Sequence, residues 1–201
     1  LMPTTGKLDV DYHNYGSKYT NETANPGYYS VRLTKHNILA EATATLRSGV
    51  SRFTFPKGES HILLNLGEGL TNESGAFLAQ VSDTEIEGMK SLRTFCFNPQ
   101  AFFPIYFVMR VSKAPKQMGY WKKQRPMEGA EADWDPDQGK YKLYTKYGKG
   151  IAGDDIGAWF DFDTKAGEQI EVQVGVSFVS IENARENLNK ELKNRSFDDI
   201  R

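Results

Sequence analysis

The feature that most constrains the fold is a repeated alternation of apolar and polar residues, in segment after segment, with no helical pattern between them. "GYYSVRL" sets Tyr29, Val31 and Leu33 on one side, and "NILAEATATL" sets Ile38, Ala40, Ala42, Ala44 and Leu46 opposite Glu41, Thr43 and Thr45. "GVSRFTFP" sets Phe53 and Phe55 against Arg52 and Thr54. The same rhythm gives Ile62, Leu64 and Leu66, then Phe77, Ala79 and Val81, then Phe103, Ile105, Phe107, Met109 and Val111, then Ala158, Phe160 and Phe162. Successive strand side chains point to opposite faces, so period two marks half-buried strands. The segments are β-branched or aromatic and end at Gly, Pro, Asn or Asp, which supply turn conformations. Such strands without intervening helices predict antiparallel sheets, and two sheets face to face bury both apolar sides. The expected fold class is all-β, an antiparallel two-sheet sandwich, with a closed barrel as the alternative.

The rhythm changes near the end. In "IEVQVGVSFVSIENARENLNKELKN", Ile170, Val172, Val174, Val176 and Phe178 alternate with polar residues, then Ile181, Ala184, Leu188 and Leu192 follow at spacings of three and four. The second half predicts a helix, with Ser180 as N-cap and Glu182 at the positive end of its dipole. Glu186 with Lys190, and Glu191 with Arg195, sit at i and i+4. Its apolar stripe is narrow and must cover a sheet edge or a neighbour. Ser196, with Asp198 and Asp199, starts a second helix. The expected division is a β-sandwich over 1–179 and a helical linker over 180–201. The opening "LMPTTGKLDV" reads as mid-domain sequence, so the chain is expected to be cut on both sides.

Charge narrows the partners. Lys and Arg total 25 against 26 Asp and Glu, which leaves no footprint for nucleic acid or an acidic membrane. No apolar run approaches the roughly 20 residues that span a bilayer. The single cysteine, Cys96, excludes an internal disulfide framework and reads as a packed strand thiol. A chain of 201 residues buries about 70 % of its unfolded surface and needs no such staple.

Candidate chemistry is sparse. His13, His36 and His61 share no metal-like spacing and read as hydrogen-bonded structural residues. Asp133, Asp135 and Asp137 in "DWDPDQG" alternate like a calcium loop, but Gln138 stands where glycine belongs and Tyr144 where glutamate belongs, so a solvated acidic loop is the simpler reading. Glu41, Asp154, Asp155, Asp161 and Asp163 are carboxylates from which an acid pair for glycoside hydrolysis could be drawn. Carboxylates on the wet side of a sheet are ordinary, and an internal pair is not expected. Tyr28, Tyr106, Trp121, Trp134 and Trp159 are the aromatics placed to stack on sugar rings; the plainer reading has them covering core edges or a domain contact. Asn21, Asn72 and Asn194 match N-x-[ST] and matter only in a eukaryotic secretory setting.

Several phrases together carry a resemblance. "NPGYYSVRL" at 25–33, "AEATATLRSGVSRFTFP" at 40–56, "HILLNL" at 61–66 and "AGEQIEVQVGVSFVSIENARENLNKE" at 166–191 occur in one order. They resemble the amino-terminal domain of glycoside hydrolase family 92, the calcium-dependent exo-α-mannosidases; the match is thin from about 113 to 155. The resemblance implies an amino-terminal sandwich, a helical linker and a carboxy-terminal (α/α)6 barrel of the same polypeptide. It implies removal of terminal α-linked mannose from mannose-containing glycans with inversion, assisted by calcium in the parent enzyme. The catalytic carboxylates and main calcium ligands belong to the barrel, so no catalytic, metal or cofactor-binding residue is carried onto this chain. It further implies a periplasmic, cell-surface or secreted bacterial protein. A freestanding carbohydrate-binding sandwich is the alternative.

Overall fold

The computed structural model describes residues 1–67, 75–93, 102–123, 141–145 and 149–201. Two antiparallel sheets face each other, as the alternation predicts. In one, β1 (Met2–Thr5), β6 (Gly58–Asn65), β13 (Ile156–Thr164), β10 (Gln117–Lys123) and β11 (Tyr141–Tyr144) lie side by side in that order. The other runs β12 (Gly150–Gly153), β7 (Ala76–Ser82), β8 (Glu85–Arg93), β9 (Phe102–Val111), β14 (Glu168–Ser177), β5 (Ser48–Phe55), β4 (Ile38–Ala44), β3 (Tyr28–Leu33) and β2 (Tyr19–Asn25). The helices are α1 (Tyr12–Tyr15), α2 (Ile181–Leu192) and α3 (Phe197–Ile200). No described helix is long and apolar enough to cross a membrane.

The core lies between the sheets. Register sets Phe160 of β13 beside Ile62 of β6, and Phe53 of β5 beside Ile170 of β14. These side chains join Phe55, Phe162, Met109 and Val172 in one buried cluster. Each such residue removes about 2 kcal/mol of apolar surface from water, which is why the alternation fixes register: a one-residue slip would turn every one of them outward.

Three strands depart from the simple alternation. In β7 the buried residues are Ala76 and Leu78, whereas Phe77 and Val81 are exposed. Its pairing with β12 sets Leu78 beside Ile151 over the core, so the bulkier set of the strand faces out. In β6 both Ile62 and Leu63 are fully buried, because each face of the smaller sheet is covered. In β14, Ile170 and Val172 are buried, but Val176 and, beyond the strand, Phe178 are not: the apolar row continues past its cover.

The helical end forms as its signals predict. The Ser180 hydroxyl accepts from the Asn183 amide at 3.1 Å, and Glu186 pairs with Lys190. Ser196 and Asp199 close a capping box over α3. Glu191 does not pair side chain to side chain with Arg195; its carboxylate turns to Thr45 and Arg47 on the sheet, and Arg195 bonds its backbone oxygen. The narrow stripe packs neither on an edge nor on something absent. Ala184, Leu188 and Leu192 bury against Val50 and Val108 on the outer face of the nine-stranded sheet.

Candidate functional site

Charged and aromatic side chains concentrate on the two outer faces. On the nine-stranded sheet, Gly175 of β14 opens room for α2. A Cβ there would stand 2.7 Å from the Leu188 Cβ and would also strike the Ala184 carbonyl. Ion pairs surround this contact. Glu41 and Arg52 are direct partners across β4 and β5. The Arg52 guanidinium donates to both Glu41 oxygens, at 2.8 and 3.0 Å, and the Tyr28 hydroxyl donates to Glu41 at 2.9 Å. Arg52 also donates to Asp198 of α3 at 3.1 Å and lies 4.1 Å from the centre of the Phe197 ring. The Arg52 hydrogen bonds hold the Glu41 carboxyl below its ordinary value, against the burial that would raise it.

Nearer β8, Glu85 receives both Arg110 and Arg185, and Arg185 reaches Glu87 at 2.5 Å. Burial favours neutral Glu85, but the two guanidiniums outweigh it and hold the carboxyl low. Glu171, beside Arg52 in the register, is pushed up by burial and by its acidic neighbours Asp198 and Glu41, although Arg52 opposes this.

The outer face of the five-stranded sheet is built differently. Gly119 of β10 lies opposite Trp159 of β13, and Trp121 lies opposite Gly157. A side chain at either glycine would strike the indole beside it. The two fully buried indoles, with Leu63 and Val10, form a separate cluster under the segment that follows β1. Two histidines pin that segment. His61 Nδ1 is 2.7 Å from Asp161, and Nε2 is 2.6 Å from the Gly6 carbonyl oxygen. Both ring nitrogens face acceptors, an arrangement that only the imidazolium satisfies in full. Burial opposes that charge, but Asp161 and the Gly6 carbonyl outweigh it and raise the pKa above the ordinary histidine value. His36 accepts from the Thr5 amide at 3.2 Å through Nδ1 and donates through Nε2 to the Tyr15 carbonyl at 3.1 Å.

Each described residue singled out from the sequence therefore has a structural place. Asp161 is committed to His61, Glu41 to Arg52, and Asp155 to Lys123 at 3.7 Å; Asp154 accepts from the Gly75 amide, and exposed Asp163 meets Lys116. Trp121 and Trp159 are core residues, not stacking platforms, and Tyr28 and Tyr106 pack beside the helices. His13 is exposed on α1, where it pairs with Asp11. Asn21 and Asn194 are exposed with positive φ. Cys96, Asn72, Trp134, Asp133, Asp135 and Asp137 lie outside the described residues.

Sequence reasoning named His61 and Asp161 but missed their pairing, for which a separation of 100 residues leaves no local signal. The Glu41–Arg52 pair was within reach: residues 11 apart on the two arms of a short hairpin can be aligned by counting back from its turn. Among the described residues, no three His, Cys, Asp or Glu side chains come together to hold a metal ion. Calcium takes six to eight oxygen ligands, and the described carboxylates Glu41, Asp155 and Asp161 are each engaged by a basic partner and do not cluster to supply them. Chemically, both faces are built to fix covering segments in place.

The model of the glycosyl hydrolase family 92 N-terminal domain matches residues 1–177. Among solved structures, a family GH92 alpha-mannosidase from Bacteroides thetaiotaomicron is 27% identical with a TM-score of 0.81; the match covers 98% of this chain and 26% of that one. A gh92 family glycosyl hydrolase, ccman5, is 26% identical with a TM-score of 0.72, over 92% of this chain and 24% of that one. A Family GH92 inverting mannosidase from Bacteroides thetaiotaomicron VPI-5482, at 23% identity and a TM-score of 0.73, matches 97% of this chain and 24% of its own, and shows the fold alone. No curated protein matches the chain. The chain spans about a quarter of the length of these enzymes.

Proposed function

The chain belongs to the glycosyl hydrolase family 92 N-terminal domain family, and on that premise we propose that it is the amino-terminal sandwich of a longer glycoside hydrolase that removes terminal α-linked mannose. In this reading the reaction inverts the anomeric centre with help from calcium. The catalytic carboxylates and the calcium ligands stand on a carboxy-terminal (α/α)6 domain of the same polypeptide. Residues 180–201 lead toward it, and the protein works in the periplasm, at the surface or outside a bacterial cell.

The observation that carries the reading is the extent of the match. Nearly the whole chain superposes on about a quarter of an α-mannosidase, so the correspondence is with one part of that enzyme. A second structure of that enzyme holds mannoimidazole. The commitments of Glu41, Asp155 and Asp161 to basic partners agree with it. An inverting pair needs two carboxyl groups roughly 6.5–9.5 Å apart with room for a water between them. These carboxylates are instead engaged in holding the fold. The described donors do not assemble a calcium site.

The test compares this 201-residue chain with the full polypeptide on α-mannosides. The full polypeptide is expected to hydrolyse them and to lose activity on chelation, and the 201-residue chain is expected to be inactive. Appreciable hydrolysis by the 201-residue chain overturns the placement of the carboxylates. Activity that survives chelation overturns the role given to calcium.

A further inference from the structure

The segment between β1 and α1 is a strap held near its two ends. It leaves β1 at Gly6, whose φ of 83° is a left-handed conformation that residues with a side chain rarely adopt. It comes back to the sheets at Tyr15, where Asn65 donates to the hydroxyl at 2.9 Å and His36 holds the backbone carbonyl. Between these ends Val10 is buried with Leu63, Trp121 and Trp159, and Leu8 packs beside it. The acidic residues of the strap bond within it. Asp9 accepts from the Asp11 amide at 3.0 Å, and Asp11 accepts from the His13 amide at 3.1 Å. Gly6, where the strap begins, is fastened twice. Its amide donates to the Glu59 carbonyl at 3.0 Å, and its own carbonyl oxygen lies 2.6 Å from His61 Nε2.

His61 stands on β6 between Thr4 of β1 and Asp161 of β13, three abreast in the register. The charged groups that face it are Asp161, at 2.7 Å, and Glu59 on its own strand. β1 offers Thr4 and the strap offers the Gly6 carbonyl, neither of which titrates. Lys7, next to Gly6, and Asp163, two residues beyond Asp161, are exposed to solvent. As an imidazolium the ring donates to Asp161 and to Gly6 at once. The neutral ring has a single N–H. Asp161, the charged acceptor, keeps it, and Nε2 then turns a lone pair toward the Gly6 oxygen. Two acceptors do not stay 2.6 Å apart, so the Gly6 carbonyl moves off. The other tautomer sets a lone pair against the Asp161 carboxylate, which is worse. We propose that His61 is a proton-operated clasp: protonated, it closes the strap over Trp121 and Trp159, and deprotonated, it releases the strap at Gly6. Burial opposes the charge, but Asp161 and the Gly6 carbonyl raise the ring's pKa above the ordinary value. The clasp is therefore shut below that raised value and opens as pH climbs through it. The release is local. Ile62 and Phe160, on the opposite face of the same strands, belong to the core between the sheets and stay packed. What opens is the outer face of the smaller sheet, where the two buried indoles come within reach of solvent.

Hydrogen exchange in the intact protein tests the clasp. Peptides from residues 7–15 and from β14 are followed from acid to alkaline pH, and each rate is divided by that of an unstructured chain at the same pH. Protection of 7–15 is expected to fall about tenfold or more as pH climbs through the raised histidine value, while protection of β14 holds. His61→Gln, which cannot titrate, is expected to give one level of protection throughout. Asp161→Asn removes the charge that favours the imidazolium, so its fall is expected at lower pH than in the native chain. Protection of 7–15 that ignores pH in the native chain overturns the proposal. So does a fall of equal size in His61→Gln. A fall shared in full by β14 overturns it too, because the whole sandwich is then opening and not the strap. Asp161→Asn keeps the histidine and decides the matter if His61→Gln does not fold. A transition that stays at the native pH in Asp161→Asn assigns the titration to another group and ends the clasp.

Discussion

The two outer faces of this sandwich are covered by opposite means. Over the nine-stranded sheet the cover is a regular helix with a stripe of three buried residues, framed by Arg52–Glu41, Arg185–Glu85 and Arg47–Glu191. Over the five-stranded sheet it is a mostly irregular segment laid on two indoles and pinned by His61 and His36. A narrow stripe buries little area, so charged pairs must supply position. Two indoles are large, rigid and fully buried, so the segment above them needs only a few polar pins. The lesson is that charge density tracks the shortage of apolar contact and does not by itself mark a reaction centre.

That contrast can be broken. Trp159→Ala empties the aromatic cover and is expected to cost about 4 kcal/mol, read from urea unfolding midpoints. If the loss is under about 1 kcal/mol, the indoles do not dominate that face. Arg52→Ala is expected to cost about 3 kcal/mol, because it leaves the Glu41 carboxylate buried without its guanidinium. Leaving Glu41 in place and replacing Arg52 with Met tests whether charge or stem matters: a similar loss assigns the effect to charge. The smallest effect sharpens the comparison through pH. The folded pKa of His61 is raised above its ordinary 6.5. Its stabilising contribution is therefore full below that value and is lost as pH climbs through the raised one. Unfolding free energy should fall across that interval, and His61→Gln should flatten the dependence. A decline of the same size in the variant would assign the titration to another group.

Much of this architecture is legible in the sequence, and the limits follow from its physics. Alternation exposes strands because side-chain direction has period two, and it correctly placed Phe53, Phe55, Phe160 and Phe162 inside. It cannot say which face is inward in a strand with apolar residues on both, as β7 has in Leu78 and Phe77, so β7 turned Phe77 out. Nor can it show a sheet covered on both sides, which is why Trp121 and Trp159 read as surface aromatics although they are buried. The Ser180 cap and the Ser196 box were readable because capping is local. The seat of α2 was not, since it depends on Gly175 meeting Leu188 across a turn of chain. Asp161 was legible as a carboxylate on its strand, but its partner His61 came from a strand remote in sequence.

Strand order bears on how the chain reaches this state. The β2–β5 meander and the β7–β9 meander join sequence neighbours, so each can zip from its own turns. In the smaller sheet only β10 and β11 are such neighbours, and β6 must find β13, with Ile62 meeting Phe160 after nearly a hundred residues have been brought round. Closing a loop of that length, rather than one of about ten residues, costs roughly 2 kcal/mol more in chain entropy before any contact rewards it. The larger sheet needs a closure of the same kind, since β14 joins its two meanders by setting Ile170 beside Phe53, so these two long-range pairings are the slow steps expected in assembly.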